Sequence, residues 1–214
     1  MTVNQKAADA VRIAVAFHSG YGHTARQARA VADGALSVPG TVADLLVVDD
    51  PGEASLWRAL DAADAIVFGT PTYMGGPSAA FKRFAELTSE PMNDGMRWRD
   101  KVAAGFTNSG AMSGDKLNTL VDLAVFAAQH GMIWVGLAEQ AGWRTAAGSP
   151  EELNRLGSWL GAMAQSDVDA GPDAAPPATD LRTASALGRR VAEVTRALRG
   201  GTAPAPGLLA AGKN

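Results

Sequence analysis

Short apolar runs that alternate with helical stretches constrain this chain more than any other feature. The runs are Val11–Phe17, Val42–Val48, Ala65–Gly69, Lys101–Thr107 and Met132–Leu137. Val11–Phe17, which ends at His18-Ser19-Gly20, reads as a strand buried on both faces that enters a loop, and the other runs read as further strands. Between them lie helical patterns. From Thr24 to Leu36, residues Ala25, Ala28, Ala32, Ala35 and Leu36 share one face while Arg26, Arg29 and Asp33 point away. A short helix is expected near Leu56–Asp61. Another starts at Pro77, which suits a first helical turn, and carries Phe81, Phe84, Ala85 and Thr88. Leu117, Leu120, Val121, Ala124 and Ala127 form a further stripe, and Leu181, Ala184, Leu187, Val191, Val194 and Leu198 mark a last helix. Strand and helix in strict alternation imply crossover connections and a parallel sheet covered on both faces, a three-layer α/β fold.

The length suits a single α/β domain, here residues 1–200, with a mobile tail at 201–214. Residues 138–180 are rich in Gly, Pro and Asp around an apolar piece at Leu153–Met163, and read as an irregular excursion. The formal charge of −3 offers no basic field for a nucleic acid or an anionic membrane. No stretch approaches the roughly 18 apolar residues of a membrane span, and the amino terminus lacks an apolar signal core, so a cytoplasmic protein is expected. There is no cysteine, which removes disulfides, thiolate catalysis and iron–sulfur or zinc–thiolate sites. The histidines are too dispersed in sequence to argue a metal site. Redox chemistry in such a chain needs a borrowed cofactor.

In an open parallel sheet, ligands bind beyond the carboxyl ends of the strands. Three loops there carry chemistry. The first, Ser19-Gly20-Tyr21-Gly22-His23-Thr24, places hydroxyls, glycines and free amides at a helix amino terminus, a cradle for phosphate. The alternative is a tight turn with Thr24 as cap. The loop lacks the Gly-Lys-Ser/Thr ending of a triphosphate site and the G-x-G-x-x-G of a dinucleotide site, so a single phosphomonoester fits. The second, Gly69–Pro77, sets Tyr73 and Met74 among turn formers and could wrap a planar ring such as a flavin near its N5 and O4 edge. The third, Thr107–Gly114, offers backbone donors with little bulk, suited to a flavin's N1 and O2 edge, or is simply a Gly/Ser turn. His130, before Gly131, is either a helix-end cap or a donor lining a substrate cavity.

At these loops the sequence resembles the WrbA-type NAD(P)H:quinone oxidoreductases, a branch of the flavodoxin-like proteins. The resemblance rests on S-G-Y-G-H-T at 19–24, A-D-A-I-V-F-G-T-P-T at 63–72, T-N-S-G-A-M-S-G at 107–114 and H-G-M-I-W-V at 130–135. It implies a flavodoxin-like five-stranded parallel sheet of order 2-1-3-4-5 and FMN as cofactor. It also implies reduction by NADH or NADPH and two-electron delivery to a quinone. Ser19, Tyr21, Gly22, His23 and Thr24 would take the phosphate. Pro71, Thr72, Tyr73, Met74 and Gly75 would take the N5 side, Asn108, Ser109, Gly110 and Gly114 the other edge, and His130 would face the cavity as the catalytic residue. The family also suggests homo-oligomers, dimers or tetramers, with sites completed by neighbouring chains. Better-known members carry Arg-Phe-Gly-Asn where this chain has Tyr73-Met74-Gly75-Gly76, so the nicotinamide end of the site differs.

Rival readings are a one-electron carrier, a reductase of azo or nitro compounds using the same flavin, and a noncatalytic interaction protein that keeps the fold. The weak charge argues against a carrier that docks through strong acidic surface. Met92, Met96, Trp98, Trp143 and Trp159 fall in connections, so Glu90–Arg99 and 138–180 are expected to supply an interface between copies.

Overall fold

The computed structural model describes residues 10–200; the tail expected to be mobile lies outside the described residues. The central parallel strands are β1 (Val11–Phe17), β2 (Thr41–Val47), β3 (Ala65–Tyr73), β5 (Val102–Ser109) and β6 (Ile133–Trp134), in the order β2-β1-β3-β5-β6. That is the expected order 2-1-3-4-5 once a two-residue strand β4 (Gly76–Pro77), antiparallel to β3, is set aside. Helices α1 (His23–Leu36), α2 (Ala54–Ala62), α3 (Ala79–Leu87), α4 (Ser89–Asn93), α5 (Lys116–Gln129) and α6 (Ala178–Gly200) cover the sheet.

Alternation along each central strand divides the core in two. Ile13, Val15 and Phe17 of β1, Ala65 and Val67 of β3 and Val102, Ala104 and Phe106 of β5 pack under α1 and α6. Their neighbours Ala14, Ala16, Ile66, Phe68 and Ala103 pack under α2, α3 and α5 against Leu60, Phe81, Phe84 and Leu123. A run that is apolar at every position is therefore required by helices on both faces. α1 and α6 cross closely enough that a Cβ on Gly34 would lie 1.9 Å from the Ser185 carbonyl, and one on Gly188 1.9 Å from that of Val31. Only glycine permits that approach.

The local readings shift in three places. Pro77 is not in the first turn of α3; it pairs with Thr72, and Ser78 caps the helix by accepting the Phe81 amide at 3.3 Å. The fifth strand is split: Ile133–Trp134 pair with Val102–Ala103, the chain leaves, and β7 (Ala162–Gln165) re-enters beside Phe106–Ser109 of β5. Gly161 fits there because a Cβ would meet the Gly105 carbonyl at 2.1 Å. The buried face of α5 is Lys116, Thr119, Leu120, Leu123 and Ala127, so Leu117 and Val121 of the expected stripe are exposed. The sheet and third loop present polar partners to the start of α5, which turns a lysine and a threonine inward.

Candidate cofactor cleft at the carboxyl edge

The first loop leads straight into α1. Gly22, at φ 87°, is the N-cap and has no side chain to offer the helix. Ser19 Oγ accepts the Ala25 amide at 3.0 Å and the Gly22 carbonyl accepts that of Arg26 at 3.0 Å. The preceding amides of the turn are left to the site, where the helix carries about half a positive charge. Thr24 is buried and lines the cleft.

The second loop is the β3–β4 hairpin. Met74 (φ 51°) and Gly75 (φ 83°) both adopt left-handed conformations, as a two-residue turn of type I′ demands. The side chain of Asn118 ties the tip to α5 through the Gly75 carbonyl at 2.8 Å. Below the tip the hydroxyls form a chain. Thr107 Oγ1 donates to the Thr70 carbonyl at 2.7 Å, so Thr72 donates to Thr107 and Thr119 donates to Thr72, each at 2.8 Å. Each hydroxyl has one proton, so Thr72 keeps no side-chain donor for a ligand. Tyr73 stands 6.4 Å from Tyr21, ring edge to ring face. Burial first, then the Tyr21 phenol, raises the Tyr73 pKa, so it stays a neutral phenol.

The third loop turns its acceptors inward in the same way. Asn108 Oδ1 accepts from Ser166 Oγ at 2.9 Å, and the Ser109 and Gly110 carbonyls accept from the Ser166 amide and Gln165 Nε2 at 3.1 Å. Ser109 Oγ donates to the Ala111 carbonyl. A Cβ on Gly110 would come within 2.6 Å of Val168, and Gly114 takes φ 56° beside Ser109 Oγ. Backbone amides, not hydroxyls, are what this loop has left to offer.

The three loops close on one cleft of about 470 Å³, within the roughly 300–1,000 Å³ typical of small-ligand sites. It is lined by Tyr21, His23, Thr24, Pro71, Thr72, Tyr73, Asn108, Ser109 and Gly110, all read from the sequence, and by Ser166 and Val168, which were not. Those two arrive because β7 brings the excursion back to the sheet. The following residues lie over the first loop: His23 Nε2 donates to the Ala170 carbonyl at 2.8 Å and Arg26 Nη1 to that of Pro172 at 2.7 Å. A tetrapeptide strand inside a Gly/Pro/Asp-rich stretch gives almost no sequence signal. A glycine-capped helix start, a rigid hydroxyl wall and a donor-rich loop around this volume fit a planar ring bearing one phosphomonoester.

Six expected residues do not line this cleft. Ser19 and Gly22 act on the turn from behind, Met74 and Gly75 form the hairpin tip with Met74 fully exposed, and Gly114 closes the far end of the third loop. His130 is at the other edge of the sheet. It follows α5 and precedes β6, and its ring packs 4.7 Å from Trp98, which precedes β5. Nε2 bonds Thr88 Oγ1 at 2.8 Å while Nδ1 finds no partner. Burial lowers its pKa, and within one chain it cannot reach the cleft. Trp98 is likewise withdrawn from any outer surface, fully buried with its indole N–H on Asp61 at 2.8 Å.

Comparison with known proteins agrees with this geometry. Residues 34–141 match the model of the family described as NADPH-dependent FMN reductase. The chain is 42% identical to the flavodoxin FldP of Pseudomonas aeruginosa, over 86% of this chain and 96% of that one. It is 33% identical to an NAD(P)H dehydrogenase (quinone) of Archaeoglobus fulgidus, over 87% and 98%. The crystal structure of a WrbA-like flavodoxin from Agrobacterium tumefaciens superposes with a TM-score of 0.67 at 44% identity, covering 87% of this chain and 98% of that one. Cleft, topology and sequence place the chain in the WrbA-type NAD(P)H:quinone oxidoreductase family of flavodoxin-like proteins.

Proposed function

We infer that this chain is an FMN-dependent oxidoreductase that passes two electrons from NADH or NADPH to a quinone or similar acceptor. The observation that carries the reading is the convergence of three donor-rich loops on one cleft at a helix start whose N-cap is a glycine. The bound flavin would supply the electron transfer itself, accepting a hydride equivalent and returning two electrons. The chain's residues hold and orient it. The amides from Tyr21 to Thr24, with the Thr24 hydroxyl, take the phosphate. Pro71 and Tyr73 flank the ring, the hydroxyl chain behind Thr72 keeps β3 and β5 in register, and the amides at Ser109 and Gly110 meet the pyrimidine edge. Titration with FMN should quench its fluorescence and yield a yellow protein that is bleached by one equivalent of NADH or NADPH without air and oxidises further equivalents when a benzoquinone is added. Absence of binding at micromolar FMN would defeat the reading.

The likeness to a chain named a flavodoxin favours one alternative, a one-electron carrier. Photoreduction separates the two: a long-lived one-electron-reduced form supports the carrier, and its absence with one-phase reoxidation by quinone supports the oxidoreductase.

We also infer self-association, through a surface different from Glu90–Arg99. Leu117, Val121 and Val125 follow each other at helical spacing on the outer face of α5 and are 58%, 41% and 56% exposed. Leu117 and Val121, with Trp159, which is 62% exposed, border a groove of about 1080 Å³. Such an apolar surface supports an interface. Light scattering should give a dimer or tetramer that Val121→Asp dissociates; a single-chain mass for the parent protein would refute assembly. No helix among the described residues is long and apolar enough to cross a membrane. A nicotinamide donor supports a cytoplasmic location, which cell fractionation would test.

A further inference from the structure

The third loop is held from beneath by a lysine whose charge the reaction above does not use. Lys116 opens α5, where a side chain usually runs out to water, yet it is fully buried. Nζ turns under the loop and donates to Ser109 Oγ at 2.8 Å, the Ala111 carbonyl at 2.7 Å and the Met112 carbonyl at 2.9 Å. All its protons are used, and no carboxylate accepts one. The charged groups that act on it are Asp180 of α6 and Arg155 of the excursion. These are bonded to each other in a bidentate pair at 2.8 Å, so their opposing fields on Lys116 largely cancel. Asp115, the residue before it, is exposed and takes none of the three Nζ hydrogen bonds. The ammonium is thus a buried charge without a counterion, one hydroxyl away from the cleft wall at Ser109. Burial lowers its pKa to about 8, which leaves it mostly protonated at neutral pH.

A loop clamp alone could be built from a neutral amide, and a buried unpaired charge is costly to retain. The position gains a purpose if negative charge develops on the ligand in the cleft. We propose that Lys116 is a positioning residue that clamps the third loop and sets one positive charge behind it, so that the site holds the reduced flavin ring more tightly than the oxidised one. This rests on the flavin reading above. Two electrons and one proton added to the neutral ring leave a monoanion whose charge lies on the pyrimidine edge. In the cell the nicotinamide donor supplies the electrons, and dithionite supplies them in the test. The field of a fixed charge in a site shielded from water acts on that anion without reorganisation.

The test compares the full-length protein with Lys116→Met and Lys116→Arg. FMN affinity is measured by fluorescence and the midpoint potential from pH 6 to 10. Lys116→Met should lower the preference for reduced over oxidised FMN about tenfold, which for a two-electron couple is about 30 mV. Loss of the clamp alone would weaken both forms equally and leave the potential unmoved. The parent protein should show an inflection in potential near pH 8 that Lys116→Arg abolishes while keeping the potential high in alkali. That arm holds even if the methionine variant does not fold. Equal potentials and equal pH profiles in all three proteins would overturn the inference while FMN binding stands. Failure of the parent protein to bind FMN would remove the reading and the inference with it.

Discussion

Two lysines at opposite edges of the sheet, Lys116 buried and Lys101 half-buried, make the same number of hydrogen bonds and do different work. Lys101, before β5 at the amino edge, donates to the carbonyls of Leu60, Asp61 and Ala63 within 3.2 Å. Those are the last carbonyls of α2, where a cation satisfies orphan acceptors and the negative end of the helix dipole. Burial lowers its pKa while Asp61 and Asp64 oppose the shift. Lys116, at the carboxyl edge, spends its bonds on a loop that borders an open cleft and has no acidic neighbour bonded to it. At the amino edge the rings of Trp98, Phe126 and His130 pack against one another; around Lys116 the groups are hydroxyls and carbonyls, with Ser109 on the cleft wall. The amino edge is built for stability and the carboxyl edge for a ligand.

Substitutions at the two edges should therefore separate stability from binding. The largest effect is expected from Trp98→Ala, which empties a fully buried site and should cost about 3–5 kcal/mol in denaturant unfolding. FMN affinity of the folded fraction should stay within a few-fold of the parent; a large loss would mean the edges are coupled. Next comes Thr24→Val at the cleft, which keeps the volume and deletes a hydroxyl. It should weaken FMN by about 1.5–3 kcal/mol, the value of a hydrogen bond to a charged group, and riboflavin hardly at all. Equal weakening of both ligands would move the phosphate elsewhere. Lys101→Met should lower stability by about 1–3 kcal/mol, because the α2 carbonyls lose their donor, with the flavin potential unchanged. A shift in potential as large as that of Lys116→Met would erase the contrast between the lysines.

The smallest effect is a pH dependence at the amino edge. His130 has its pKa lowered by burial, so the unfolded chain binds its proton at a pH where the folded chain does not. Its contribution to stability is complete above the unfolded value of about 6.5 and is lost as the pH falls below it, with a slope of at most about 1.4 kcal/mol per pH unit. His130→Gln should flatten that part of the stability curve between pH 7 and 5 without moving the pH profile of flavin binding. Parallel curves for both proteins would show that the imidazole does not titrate on unfolding.

The regular alternation of Val11–Phe17, Ala65–Gly69 and the helices after them specified the three layers, because a strand apolar at every position needs cover on both faces, while the strand order followed from the resemblance carried by the loop motifs. The cleft residues from Tyr21 to Thr24 and from Asn108 to Gly110 were legible for a related reason: glycine and hydroxyl residues after a buried strand have few uses besides turns and ligands. Of the two roles open to His130, the structure has it at the helix end, and sequence left both open because a histidine between a helix and a strand looks the same at either edge of the sheet until the helix direction is known. Trp98 was assigned to an interface because it lies in a connection, but the chain folds that connection onto its own core.

Chain order and residue type by themselves determined the layers and the edge at which a ligand binds, since these follow from periodicity and from where loops must fall. Only the tertiary structure decided that β7 returns to β5 carrying Ser166 and Val168, that α5 is rotated to bury Lys116 and expose Val121, and which hydroxyls keep a free proton. Those outcomes depend on contacts between segments far apart in the chain, where a hydrogen bond or a glycine-wide gap outweighs local pattern.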